Sequence, residues 1–355
     1  MALPTLVALV ATSLLCGMAG GLLRAGVVLP HAATLVQHAA IAHAALMISG
    51  FLGTVISIER AVAVKLKWAF GAPFAASLGG VCWLAGLPDA AIALGIVAAA
   101  IFVAVNVVVV RRQRVAHTVV LLLGAVAWLV GNAALARGAG IEGTLPWWFA
   151  FLVMTIAAER LEMTRLMRHR PGAQAALFAI LGLMLAGALL SGIDVASGGL
   201  VYGASLAALA AWLMLFDIAR RTVHAHGLSR YMALCLLGGY VWLGVAGFAW
   251  AAHALGLPAR DTALHALGLG FIVSMVMGHA PVILPAVARV KLWFSALFYA
   301  PLALLHGSLV LRLAGGAFDV HWRSVGATLN AIAILAFAAT VLAAAFQWHA
   351  KQSRH

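Results

Sequence analysis

Fourteen histidines occur in a chain of 355 residues that holds only nine Asp and Glu. Five of them, His38, His43, His265, His279 and His306, stand inside long apolar runs. A polar ring in hydrocarbon is costly unless it is paired or ligating. Neutral imidazole is the commonest nitrogen ligand for haem iron, copper and zinc. The chemistry these residues offer is therefore metal or haem ligation, with proton exchange as the other use of an intramembrane histidine. The structural alternative is that a membrane histidine serves as a hydrogen-bonding tie between helices. Met47, Met163, Met275 and Met277 are thioether candidates for copper, but at helical spacing in an apolar chain they read as packing.

The elements that must position these residues follow from composition. Hydrophobic residues make up 65% of the chain and charged ones 9%, and the mean hydropathy is +1.09. A soluble domain needs roughly 25% charged residues, so lipid is the main solvent and no room is left for a separate soluble domain. Apolar segments fall near 4–28, 32–63, 69–87, 90–110, 115–136, 146–167, 173–193, 197–219, 230–255, 262–286, 292–312 and 324–348. The expectation is an all-α integral membrane protein of about twelve transmembrane helices, forming one polytopic domain over 1–355. Residues 4–23 lack a charged leader and an AxA-like cleavage site, and read as the first helix rather than a signal peptide. Cys16, Cys82 and Cys235 form no CxxC or CxxCH motif, which argues against disulfides and covalently attached haem.

The net charge of +13 is explained by topology rather than by nucleic acid. With the N-terminus inside, Lys65, Lys67, Arg111, Arg112, Arg114, Arg165, Arg168, Arg170, Arg220, Arg221, Arg230, Arg289, Lys291, Lys351 and Arg354 fall on inner loops or the tail. Only Arg24, Arg137, Arg260, Arg312 and Arg323 fall on outer ends. That asymmetry follows the positive-inside rule and puts both termini in the cytoplasm of a bacterial inner membrane. His38, His43, His265 and His306 then lie in one layer beneath the periplasmic face, with His31, His253 and His321 at its edge. The histidines of inner loops and tail, His169, His224, His226, His349 and His355, read as solvated.

Residues 51–60 (FLGTVISIER) and 151–160 (FLVMTIAAER) match at an offset of 100, and 271–280 (FIVSMVMGHA) aligns at an offset of 220. These segments lie four helices apart, as a threefold pseudo-repeat of a four-helix unit would place them (about 1–110, 111–225 and 226–355). His43 is eight residues before Phe51 and His265 six before Phe271, so the repeat sets them at nearly equal depth. One from each helix could clamp a planar macrocycle as axial ligands do. His38 and His43 are five apart, about 140° around a helix axis, so they cannot readily share an ion. His38 and His306 become candidates for alternative haem ligation or a second metal. His279 lies about 21 Å further along than His265, level with Glu59 and Glu159, beside the prolines of GHAPVILP. That inner layer reads either as a salt-bridge layer or as a proton path or quinone-headgroup pocket made of Glu59, Glu159 and His279, with His279 also a metal candidate.

The segments HAALMISGFLGTVISIERAVAV, FLVMTIAAERLEMTR and HALGLGFIVSMVMGHAPVILPAV resemble the NnrS-like family of bacterial membrane proteins. The resemblance covers helices 2, 6, 10 and 11. It implies a twelve-helix haem- and copper-containing protein associated with nitric oxide stress and denitrification, with His43, His265, His279 and His306 at the motif positions. The threefold four-helix arrangement also looks like the catalytic subunit of haem-copper oxidases and nitric oxide reductases. The chain departs from those in having no adjacent His-His pair, no HPEVY-like segment and no HxH in helix 10, which argues against a standard binuclear centre. The function expected is a protein holding haem, b-type, that handles electrons or nitric oxide near the periplasmic face, with quinol or a periplasmic donor as partner and membrane lipid around it. The competing expectation is a proton-coupled transporter of a metal ion or small solute.

Overall fold

The computed structural model describes residues 2–29, 34–164, 171–288 and 290–352. Among them every regular element is helical, and eleven helices are long and apolar enough to cross a membrane. This is a multi-pass, all-α membrane protein. In hydrocarbon a helix is the one open-chain element that satisfies its own backbone hydrogen bonds, so a sequence this apolar has little other choice.

The chain divides into two compact units, Met1–Glu159 and Arg160–His355. The first contains α1 (Ala2–Arg24), α2 (Thr34–Ile41), α3 (His43–Ala45), α4 (Thr54–Val64), α5 (Gly71–Leu84), α6 (Pro88–Arg112), α7 (Ala116–Ala136) and most of α8 (Gly140–Thr164). Its core includes a set of aromatic rings: Trp128 stacks on Phe151 with centroids 4.9 Å apart, and Phe102 meets both edge-on. The segment expected near 69–87 folds as α5, only 14 residues long. At about 1.5 Å per residue that is about 21 Å, short of the roughly 30 Å of hydrocarbon. A 3₁₀ turn, Lys67–Phe70, precedes it. Lys65, with φ 58°, stops α4 in the left-handed conformation.

The second unit contains α9 (Ala173–Leu190), α10 (Val195–Phe216), α11 (Ala219–Thr222), α12 (Gly227–Ala254), α13 (Arg260–His265), α14 (Ser274–Ala288), α15 (Tyr299–Ala314) and α16 (Val320–Gln352). Helix α12 packs against α10, α13 and α14, and α15 against α16. Asp194 caps α10 by accepting from Ser197 N at 3.1 Å. The hydrogen bonds from Ser197 hold its carboxyl below the ordinary value.

Two spans are not α-helical throughout. Residues Leu46–Gly53 (π1) and Ala266–Val273 (π2) are π-helical. Each is eight residues long; π1 starts three residues after His43 and π2 directly after His265. Their numbering differs by 220 at both ends, the offset read between the two sequence segments. The corresponding part of α8 is regular helix, with Pro146 inside it. π turns are rare and are concentrated at functional sites.

Candidate functional site

In the first unit, π1 packs on α1 and α5, and the two histidines flanking Ala42 are tied to those same helices. His43 Nδ1 lies 2.7 Å from Gly17 O. A carbonyl only accepts, so Nδ1 carries the proton and Nε2 the lone pair. The imidazole lies against Gly21, where an added Cβ would come 2.7 Å from its Cε1. The glycine at 21 is thus what lets α1 approach the ring. His38 follows the same plan: Nδ1 is 3.0 Å from Leu84 O, one of the last carbonyls of α5, which no further turn of helix satisfies. Its ring stands against Gly86, whose φ of +74° closes the chain after α5.

In the second unit His265 is held by two charged neighbours. Its Nδ1 is 3.0 Å from both the backbone oxygen and the carboxylate of Asp261, one helical turn earlier. Arg312, at the end of α15, grips that carboxylate with two hydrogen bonds, Nε to Oδ2 at 3.1 Å and Nη2 to Oδ1 at 2.8 Å. Nη2 also lies 3.1 Å from His265 Nε2. With the ring proton directed at Asp261, the Nε2 lone pair accepts from the guanidinium. His306, six residues before Arg312 on α15, is oriented the opposite way. Trp242 Nε1 donates to its Nδ1 at 2.8 Å, and an indole N–H can only donate. The neutral ring then carries its proton on Nε2, 3.4 Å from Ser274 Oγ, whose own hydrogen goes to Cys235 O at 2.8 Å. Both nitrogens of His306 are committed.

At the other level, His279 Nδ1 lies 2.7 Å from Met275 O, one turn back, and α14 runs on through Pro281 and Pro285 rather than ending there. Glu59 is half-buried on α4 and Glu159 half-buried on α8. The buried Arg160 faces Asp217 at 3.9 Å, both side chains being almost wholly enclosed, and Asp217 also accepts from Ala219 N at 2.7 Å. The partner lies 57 positions away in the sequence. His31, His169, Arg165 and His355 lie outside the described residues. Of the four methionines, Met275 and Met277 are buried and Met47 lies against Gly17, whereas Met163 is exposed.

The structure therefore brings His265 together with Asp261 and Arg312, and His306 together with Trp242 and Ser274. His38 and His43 are fastened to different helices. Among the described residues, no three or more His, Cys, Asp or Glu form a group able to hold a metal ion. For an axial haem ligand, which needs a lone pair on one nitrogen and an oriented N–H on the other, His38 and His43 fit. His265 fits through Asp261, provided Arg312 yields Nε2, and His306 does not fit while Trp242 holds it. Asp261 was open to discovery from its i,i+4 spacing to His265. Arg312, Trp242 and Asp217 were not, because each meets its partner across a tertiary contact.

A family model matches residues 3–346. No curated protein and no solved structure matches the chain. The chain belongs to the family described as Domain of unknown function (DUF8744).

Proposed function

We propose that this is a haem-binding protein of the bacterial inner membrane, both termini cytoplasmic, that handles nitric oxide or electrons near the periplasmic face. In this reading it is NnrS-like, with His43 and His265 as the candidate ligands of haem b and with quinol or a periplasmic protein as electron donor. His38 is the candidate for a further metal such as copper, and Glu59, Glu159 and His279 form the inner proton or quinone path. The observation that carries the reading is shared by two spans. Each has a histidine with Nδ1 directed at an acceptor, and a π-helical stretch of eight residues begins three residues after His43 and directly after His265. An oriented N–H on one nitrogen is the arrangement that ligating histidines use, and the matched π stretches support a repeat relating the two spans. Haem iron would supply reversible one-electron chemistry, and a diatomic gas could bind it only where one of the two imidazoles gives way. The protein's own residues orient the imidazoles, His43 through Gly17 O and His265 through Asp261. Substituting His43 or His265 by Ala should lower the haem content of the purified protein and alter its Soret band. Haem content and spectrum unchanged in both variants would remove these residues from the proposal.

A second reading is favoured by the same pair of π stretches. Interrupted spans at corresponding positions of two halves are where secondary transporters build their binding sites, and the Asp261–Arg312–His265 cluster lies beside one of them. Uptake of a metal ion or solute into proteoliposomes, driven by a proton gradient and shown by protein that carries no haem, would establish the transporter in place of the haem protein.

A further inference from the structure

The first unit holds a polar cavity that none of the candidate histidines enters. It lies among π1, α5, α6, α7 and α8, and most of its wall is glycine and alanine. Its volume is about 10 Å³, counted for the centre of a water-sized sphere. That is about the room one water molecule takes.

Four side chains with a polar atom line it: Ser49 from π1, Trp83 from α5, Asn132 from α7 and Trp148 from α8; of these Asn132 and Trp148 are buried. Trp148 is 1% exposed, and its indole N–H has no acceptor among the described residues. Ser49 Oγ accepts from Trp128 Nε1 at 3.1 Å, which leaves its own hydroxyl hydrogen to be donated. Asn132 is 3% exposed and spends one Nδ2 hydrogen on Trp128 O, 2.9 Å away on its own helix, leaving Oδ1 to accept. An added Cβ on Gly95 would come within 2.9 Å of that Oδ1, so a glycine in α6 is what leaves the amide its space. A buried donor left without a partner is costly, and here the residues that carry two donors and one acceptor line the same small space.

We propose that this cavity is a binding site for a single water molecule, which accepts from Trp148 and Ser49 and donates to Asn132. The occupant must be uncharged, no larger than one heavy atom, and able both to accept and to donate, and water meets all three demands. Three hydrogen bonds is the usual number for a buried water. The bridge ties π1 to α7 and α8, and so fixes the segment that follows His43. It stands whether or not the histidines hold iron.

A structure of the full chain at a resolution that shows ordered solvent tests this, together with the thermal stability of Trp148→Phe. The proposal expects one solvent peak within hydrogen-bonding distance of the Trp148, Ser49 and Asn132 side chains, and a Tm lowered by a few degrees in the variant. An absent peak, or a Tm raised by removing an unsatisfied donor from a dry cavity, would overturn it. Should the variant not fold, hydroxyl-radical labelling of the intact protein decides. A bound water next to it makes Trp148 reactive despite its burial. An unmodified Trp148 alongside modified Trp68 and Trp322, which are 47% and 45% exposed, would contradict the site.

Discussion

Arg312 is 8% exposed and lies in a membrane span, so its charge depends on the two bonds it makes to Asp261. Breaking a buried pair from one side leaves the other charge uncompensated, which costs about 3–5 kcal/mol. The Asp261 side chain is 35% exposed, so Arg312→Met should cost about 2–3 kcal/mol in thermal or denaturant unfolding, at the low end of that range or below it. Arg312→Lys should recover little, because an ammonium cannot make the paired contact. A loss under 0.5 kcal/mol for Arg312→Met would mean that water already screens the pair. At His43 the sensitive neighbour is Gly21. The methyl group of Gly21→Ala would press on the ring from 2.7 Å, an overpacking that costs about 1–3 kcal/mol. Gly182→Ala, with nothing within 4 Å of the new methyl, should be neutral or slightly stabilising in the same assay. The histidines as chemical types were legible in the sequence, since a polar ring in an apolar run stands out. Their protonation was not, because it is set by Gly17 O, Asp261 and Trp242, and of these only Asp261 lies one turn from its histidine.

The spans themselves were legible, being set by length and apolarity alone. The interruptions within them were not. A π stretch differs from an α-helix by one residue per hydrogen-bonded turn, and HAALMISGFLG carries no proline or charge to announce it. Deleting Ile48 should let π1 close as ordinary helix and turn His43 by about 100° relative to α4. That would break the bonds of His43 to Gly17 and of Ser49 to Trp128. A lower Tm is expected, with loss of any haem held through His43; an unchanged Tm and spectrum would show that the π form has no structural role. Asp194 gives an element-scale test by pH. Its carboxyl is lowered in the folded state, so its contribution to the start of α10 is present above the ordinary carboxylate range and lost as pH falls through the lowered value. Asp194→Asn should flatten that acid limb of the stability profile without shifting the neutral plateau by much, as Asn also caps.

At the scale of the whole molecule, the expectation of about twelve crossings meets eleven helices long enough to span and the short α5. Whether α5 crosses decides the side of every later loop. The proposed orientation, with the N-terminus inside, would put residue 66 inside and residue 86 outside, so a periplasm-active phosphatase fused after residue 86 should be active and one after residue 66 inactive. Equal inactivity at both would mean that α5 does not cross and that the orientation of the remaining chain is reversed. The division at Glu159–Arg160 was not legible, because it falls between two charged residues that leave helix α8 unbroken. The central claim, that imidazoles of this chain hold haem, is tested most directly by the reduced-minus-oxidised optical spectrum of the intact protein purified from membranes. The account predicts a Soret band and the α and β bands of haem b at stoichiometric intensity; a chain that is folded, complete and colourless in both states would contradict it.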